Sequence, residues 1–157
     1  MEKTVEYAFV LEAVHKRTLA FVAPLAGLEE HAAGDAIFGE DDLLFLVEFK
    51  VDRSSLKSEE ELFYDYEGAR EKMQNRDDHH FFVYAGHTPQ CGQPMPALVA
   101  QTYFSGQPLP SAMGCFDGGL HPEIFKEYIQ DLFDLKHPDG RRAIVESGVR
   151  AEICRRG

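Results

Sequence analysis

The sequence has 157 residues, of which 44% are hydrophobic and 27% are charged, as expected for one globular domain. Its 27 acidic side chains outnumber its 16 lysines and arginines, and the formal net charge of −11 argues against broad, non-specific binding of nucleic acid. No apolar run approaches the ~20 residues that cross a bilayer, and three cysteines are too few for a disulfide framework, so we expect a cytoplasmic protein without membrane contacts.

The first predicted element is a helix over residues 3–16. Its apolar residues recur at spacings of three and four, which predicts one buried face. That predicted face consists of Tyr7, Val10, Leu11 and Val14. A short apolar segment that ends near Pro24 then predicts a first strand over residues 18–25.

The segment 34–52 predicts a β-hairpin that turns at Asp41-Asp42. Its second strand is apolar on both faces, as is typical of a central strand covered on each side. The hairpin nevertheless contains three charges, Asp35, Glu48 and Lys50. With a two-residue turn, Asp35 lies opposite Glu48, and strand alternation places Lys50 on the same face.

The rest of the chain predicts two more helices and two more strands. In chain order, the predicted elements are a helix from a capping box at Ser58 and Glu61 to about residue 75, a strand over 80–86, a loop over 87–97, a strand over 97–104, a loop over 105–119 and a helix over 121–136. This order predicts a single α/β domain over 1–157, with a mixed central sheet flanked by helices. Its core would span 3–86, with a strand-helix extension over 87–157.

Two adjacent carboxylates in a partly buried site repel each other unless a cation neutralises them. Mg²⁺ binds hard oxygen ligands, often one or two carboxylates together with waters and phosphate oxygens. Asp35 and Glu48 therefore predict a site for Mg²⁺ or Mn²⁺, with Lys50 beside it to deprotonate water or to stabilise charge on a phosphoryl group. The simpler alternative is an internal salt bridge between Glu48 and Lys50 on an exposed sheet face.

The segment resembles the active-site signature of the PD-(D/E)XK nuclease superfamily, which has the restriction-endonuclease-like fold. Gly34-Asp35 and Glu48-Phe49-Lys50 match the signature, and the predicted elements over 3–86 follow the family's αβββαβ order. The resemblance implies catalytic roles for Asp35, Glu48 and Lys50. Many members add a glutamate from the first helix to the metal ligands, which implies Glu6 here, with Glu12 as the weaker candidate.

We therefore expect a metal-dependent nuclease that hydrolyses phosphodiester bonds of DNA. Because the chain is so acidic, its hold on DNA is expected to come from a homodimer or a protein partner. The alternative is a non-catalytic acidic binding module on the same fold, such as an inhibitor, an immunity protein or a subunit of a complex. Five arginines near the C-terminus are the largest local basic cluster: Arg141, Arg142, Arg150, Arg155 and Arg156.

Overall fold

A five-stranded mixed β-sheet with helices on both faces forms the centre of the fold, which confirms the coarse α/β class. The computed structural model describes residues 2–17, 21–24 and 34–137. The elements are α1 (Glu2–Lys16), β1 (Phe21–Pro24), β2 (Ala36–Glu40), β3 (Leu43–Lys50), a first 3-10 helix (Arg53–Leu62), α2 (Tyr66–Met73), β4 (His80–Gln90), β5 (Gln93–Thr102), a second 3-10 helix (Ala112–Asp117) and α3 (Pro122–Lys136).

The strands lie in the order β1-β2-β3-β4-β5. Strand β4 runs parallel to β3, and the other three pairings are antiparallel. β3 is therefore the middle strand, and its side chains from Leu44 to Lys50 are all buried. This position confirms the prediction that the most apolar segment is a central strand.

The two faces of the sheet carry separate hydrophobic clusters. The α1 face is covered by α1 and the second 3-10 helix, and its cluster includes Val5, Phe9, Phe38, Val47, Phe49 and Phe116. The α3 face is covered by the first 3-10 helix, α2 and α3, and its cluster includes Leu46, Met73, Phe82, Tyr103, Tyr128 and Leu132. Because side chains alternate along β3, Glu48 and Lys50 share the α3 face with Leu46.

The β2–β3 hairpin has the predicted turn and register. Glu40 pairs with Leu43, and Ala36 pairs with Val47. Asp41 and Asp42 have φ angles of 49° and 67°, so both turn residues occupy the left-handed region. That conformation gives a two-residue turn whose twist suits a hairpin, and aspartate tolerates it better than most residues do.

Helix α1 is present as predicted, but the prediction of its buried face is wrong. Tyr7 and Leu11 are 65% and 67% exposed, whereas Phe9 and Ala13 are fully buried. The apolar residues of this helix lie on most of its sides, so their periodicity alone permits more than one buried face. Phe9 decides between them, because its ring packs against Phe38 at 5.2 Å between centroids.

The helix predicted from Ser58 to about residue 75 is two helices. Asp52, not Ser58, caps the first 3-10 helix by accepting a hydrogen bond from the Ser55 backbone N–H. Asp65 caps α2 in the same way through the Gly68 N–H. The chain is extended at Phe63, whose buried ring fills the α3-face cluster between the two helices.

The predicted loop over 87–97 is also wrong, because β4 and β5 continue through it as a hairpin. We call residues 85–97 the arm; it extends past the end of β3 and turns at Cys91-Gly92. Its residues are exposed or half-buried. The sequence from 79 to 116 contains no aspartate, glutamate, lysine or arginine, so the arm carries none of these charges. The predictions for residues 18–20, 25–33 and 138–157 lie outside the described residues.

Candidate active site on the central strand

The predicted charges meet where β3 runs beside the start of β2. Continuing the observed register by one pair places Asp35 opposite Glu48. The Phe49 backbone N–H donates a hydrogen bond to Asp35 Oδ2 at 2.6 Å, which orients that carboxylate beside β3. Glu48 Oε2 lies 3.3 Å from the point where a Cβ on Gly34 would stand, so this oxygen points toward the residue before Asp35.

Lys50 lies one pleat beyond Glu48 and is held by two carboxylates. Its Nζ donates to Glu48 Oε1 at 2.9 Å and to Glu59 Oε1 at 2.7 Å. Glu59 belongs to the first 3-10 helix, which crosses the α3 face. The lysine therefore joins the central strand to the helix that covers it.

Glu59 is itself held by residues from the extension. The Tyr103 hydroxyl donates to Glu59 Oε2 at 2.9 Å, and Lys136 Nζ at the end of α3 lies 3.7 Å from the same oxygen. Glu48, Lys50, Glu59 and Lys136 are 6%, 6%, 4% and 5% exposed. Two acids and two bases thus form one buried group, which we call the charge network. The sequence predicted only Glu48 and Lys50 of its members.

Burial, together with the neighbouring carboxylates of Glu59 and Asp35, raises the pKa of Glu48 well above its usual range. Burial alone would lower the pKa of Lys50, but the adjacent Glu48 and Glu59 carboxylates outweigh it and raise that pKa. Lys50 is therefore a permanent cation at neutral pH. Of the two roles predicted for it, stabilisation of negative charge agrees with this state and deprotonation of water does not.

The other two members of the network show the same competition between burial and neighbouring charge. Burial opposes ionisation of Glu59, but the cations of Lys136 and Lys50 outweigh it and lower its pKa. For Lys136, burial wins over the attraction of Glu59 and Glu48, and its pKa is lowered. Glu59 is therefore the ionised centre of the network.

Glu6 does not join the predicted metal site. It lies on α1, whose buried residues Val5 and Phe9 pack on the opposite face of the sheet from Glu48, and its carboxylate accepts a hydrogen bond from Lys3 at 2.7 Å. Among the described residues, no group of three or more histidine, cysteine, aspartate or glutamate side chains is arranged to hold a metal ion. This agrees with the position of Glu6 on α1, and the set of three ligands stays a prediction that the described residues do not bring together.

Asp35 and Glu48 remain as a two-carboxylate set. The absence of a Cβ at Gly34 leaves room beside Glu48 Oε2, and Asp35 is close enough to contribute, after burial and Glu59, to the raised pKa of Glu48. Two carboxylates completed by waters and phosphate oxygens are a usual donor set for Mg²⁺. The pair therefore fits this ion, with Asp35, which is only half-buried, on the more open side.

Comparisons of the chain with protein-family models, with curated proteins and with solved structures gave no match. Within the described part of the chain, none of the helices combines the length and the apolar character needed to span a bilayer.

Proposed function

We propose that this protein is a divalent-metal-dependent nuclease that hydrolyses phosphodiester bonds of DNA on a restriction-endonuclease-like fold. The observation that carries the proposal is the hairpin register, which sets Asp35 opposite Glu48 and places Lys50 on the same face. The element order α1-β1-β2-β3-α2-β4 supports it, since this is the αβββαβ order of the family that the signature resembles.

In this proposal Asp35 and Glu48 hold Mg²⁺ or Mn²⁺, and the Lys50 ammonium faces the phosphate. When bound, the metal supplies Lewis acidity that activates water and polarises the phosphoryl group. Lys50 contributes a fixed positive charge where negative charge grows in the transition state. Its two hydrogen bonds to Glu48 and Glu59 orient the ammonium before substrate arrives.

DNA binding is expected to need help from a second copy or a protein partner. The chain carries a net charge of −11, and a polyanion approaches such a surface only where basic groups offset the repulsion. We therefore expect cleavage to be strongest at low ionic strength with high protein concentration, or with the partner present.

The test is hydrolysis of plasmid, linear duplex and single-stranded DNA in Mg²⁺ or Mn²⁺, with Asp35→Asn as the decisive variant. Asparagine keeps an oxygen for the Phe49 N–H but removes the charge that binds metal. We expect a loss of about 100-fold or more, comparable to the removal of one transition-state stabiliser. Asp41→Asn is the matched control, because Asp41 is exposed in the turn of the same hairpin. Full cleavage by Asp35→Asn would refute the assignment.

A second function is favoured by one observation: Lys50 is already paired inside the protein with the carboxylates of Glu48 and Glu59. This pairing agrees with a structural role for Lys50, and the net charge of −11 suits a non-catalytic acidic module that binds a basic protein. Thermal unfolding with and without Mg²⁺ separates the two functions, because a ligand that binds only the folded state raises the melting temperature. The binding module predicts no Mg²⁺ effect and a protein association that salt weakens.

A further inference from the structure

Glu59 is unusual within its own helix. It belongs to a run of three glutamates in which Glu60 and Glu61 are exposed, and Glu59 is the buried residue of the first 3-10 helix. Burial of a carboxylate costs free energy, and this helix could avoid that cost by leaving all three glutamates exposed. The inward position of Glu59 therefore calls for an explanation in its contacts.

Those contacts fix the carboxylate at both oxygens. Oε1 accepts from Lys50 at 2.7 Å, while Oε2 accepts from the Tyr103 hydroxyl at 2.9 Å and lies 3.7 Å from Lys136 Nζ. Tyr103 follows β5, and Lys136 ends α3, so both belong to the extension over residues 87–157. The end of β5 and the end of α3 thus hold the Glu59 carboxylate against Lys50 of the central strand.

A lysine has a flexible four-carbon stem, and a single hydrogen bond to Glu48 leaves the ammonium free to swing. A second acceptor on another element removes that freedom. Catalytic groups need such contacts from residues that do not themselves touch the substrate, which we call outer contacts. Without them the group can move, and a displacement of about 1 Å can cost 100-fold in rate.

We propose that Glu59 is a positioning residue that holds the Lys50 ammonium in place, and that Tyr103 and Lys136 of the extension hold Glu59 in turn. The inference rests on the proposed nuclease function and deepens it. It gives the extension a role in the site through Tyr103 and Lys136, while both carboxylates of the pair come from the hairpin.

The first experiment measures DNA hydrolysis by Glu59→Gln, with Glu61→Gln as the matched exposed control on the same helix. Removal of an outer contact typically costs about 10- to 100-fold in activity, and we expect kcat of Glu59→Gln to fall by that factor with KM within about twofold. The rise in melting temperature with Mg²⁺ should persist, because Asp35 and Glu48 are unchanged. Wild-type kcat in Glu59→Gln would overturn the inference, as would a loss that follows the folded fraction alone.

Tyr103→Phe covers the case in which Glu59→Gln does not fold. This change removes one hydroxyl and keeps the ring in its stack against Phe82, whose centroid lies 4.4 Å away. We expect kcat to fall about 10-fold, the lower end of the range for outer contacts. Full activity of this folded variant would show that the contacts of Glu59 do not position the lysine.

A third measurement separates failure of this inference from failure of the proposed function. Acetylation of lysine amines, followed by mass spectrometry of the peptide that contains Lys50, reports how firmly the ammonium is held without any DNA. We expect Lys50 to resist labelling in the wild type and in Glu61→Gln, and to label measurably faster in Glu59→Gln or Tyr103→Phe, because the amine then loses an acceptor or that acceptor loses a partner. Equal labelling in all variants would overturn the holding role, whereas an inactive wild type with the expected labelling would reject the nuclease function alone.

Discussion

Replacement of Lys50 by methionine tests the energetic role of the charge network. Methionine is similar in length but removes the cation from between Glu48 and Glu59, where Nζ makes hydrogen bonds of 2.9 and 2.7 Å. Removal of one partner of a buried ion pair lowers the free energy of unfolding by about 3–5 kcal/mol, because the remaining charge is left uncompensated. Folded domains are stable by only about 5–15 kcal/mol, so this is a large share of the total.

The assays are urea unfolding, which gives the free energy of unfolding, and thermal unfolding, which gives the melting temperature; both are followed by far-ultraviolet circular dichroism at pH 7 without divalent ions. For a chain of this size each kcal/mol corresponds to about 2–4 °C, so we expect the melting temperature to fall by about 6–20 °C. The double variant Lys50→Met/Glu59→Gln removes one charge of each sign. It should therefore recover most of the loss, since a neutral replacement of a buried ion pair is often tolerated.

Lys16→Met is the control, because Lys16 Nζ lies 2.6 Å from Glu12 Oε1 in an exposed pair. Exposed pairs contribute about 0–1 kcal/mol however short they are. The reasoning is refuted if Lys50→Met costs no more than Lys16→Met, or if the double variant is as unstable as the sum of its two single changes.

Three further predictions concern other parts of the molecule. Burial lowers the pKa of His80 well below its usual range, so below about pH 6.5 the unfolded chain binds a proton at this residue and the folded chain does not. Stability should therefore fall as pH falls, by up to about 1.4 kcal/mol per pH unit from His80. In urea unfolding between pH 6.5 and 5.5, His80→Phe should lose this share of the slope, and an unchanged slope would contradict it. Cys91 is exposed whereas Cys115 is buried, and burial raises the pKa of the Cys115 thiol. Alkylation of the native protein, measured by peptide mass spectrometry, should therefore modify Cys91 far faster than Cys115. Equal rates would exclude the buried position of Cys115. A Cβ on Gly118 would collide with the Asp78 carbonyl oxygen. Gly118→Ala should therefore lower the free energy of unfolding by about 1–3 kcal/mol. A variant as stable as the wild type would show that the backbone at this position can move.

The central hairpin was predictable from sequence because several local signals agree there. Alternation fixes which residues share a face, and the apolar run on both faces indicates a middle strand. Asp41-Asp42 tolerates the two-residue turn that sets the register, and that register brings Asp35 to Glu48.

The pairing of Lys50 with Glu48 was one of the two interpretations of the sequence, but its second partner, Glu59, was not predictable because it depends on tertiary packing. Glu59 sits in an acidic run that is typical of a solvated helix start, and Lys136 is a usual cation at a helix end. No local pattern indicates that Lys50 and Lys136 share the carboxylate of Glu59. The prediction for α1 failed for a related reason, since Phe9 and Ala13 are buried by neighbours distant in sequence.

The arm was missed because its prolines resemble those of a loop. Proline is excluded from central strands but is accepted on an outer strand where its missing N–H would face outward. In β5 the backbone N–H and C=O groups of the even-numbered residues point away from β4. The Ala100 C=O and the Thr102 N–H show this, because both form hydrogen bonds with the segment 107–109. Pro94 and Pro96 therefore fall at positions where a strand pattern is compatible with proline.

The same two prolines determine how the arm behaves at high protein concentration. An exposed outer strand is normally a template on which other chains add strands and begin to aggregate. At Pro94 and Pro96 the outward edge of β5 offers carbonyl oxygens without matching N–H donors, so an incoming strand cannot complete its ladder there. The arm is thereby protected against edge-to-edge fibril growth, even though it carries no charged side chain that would repel a neighbour.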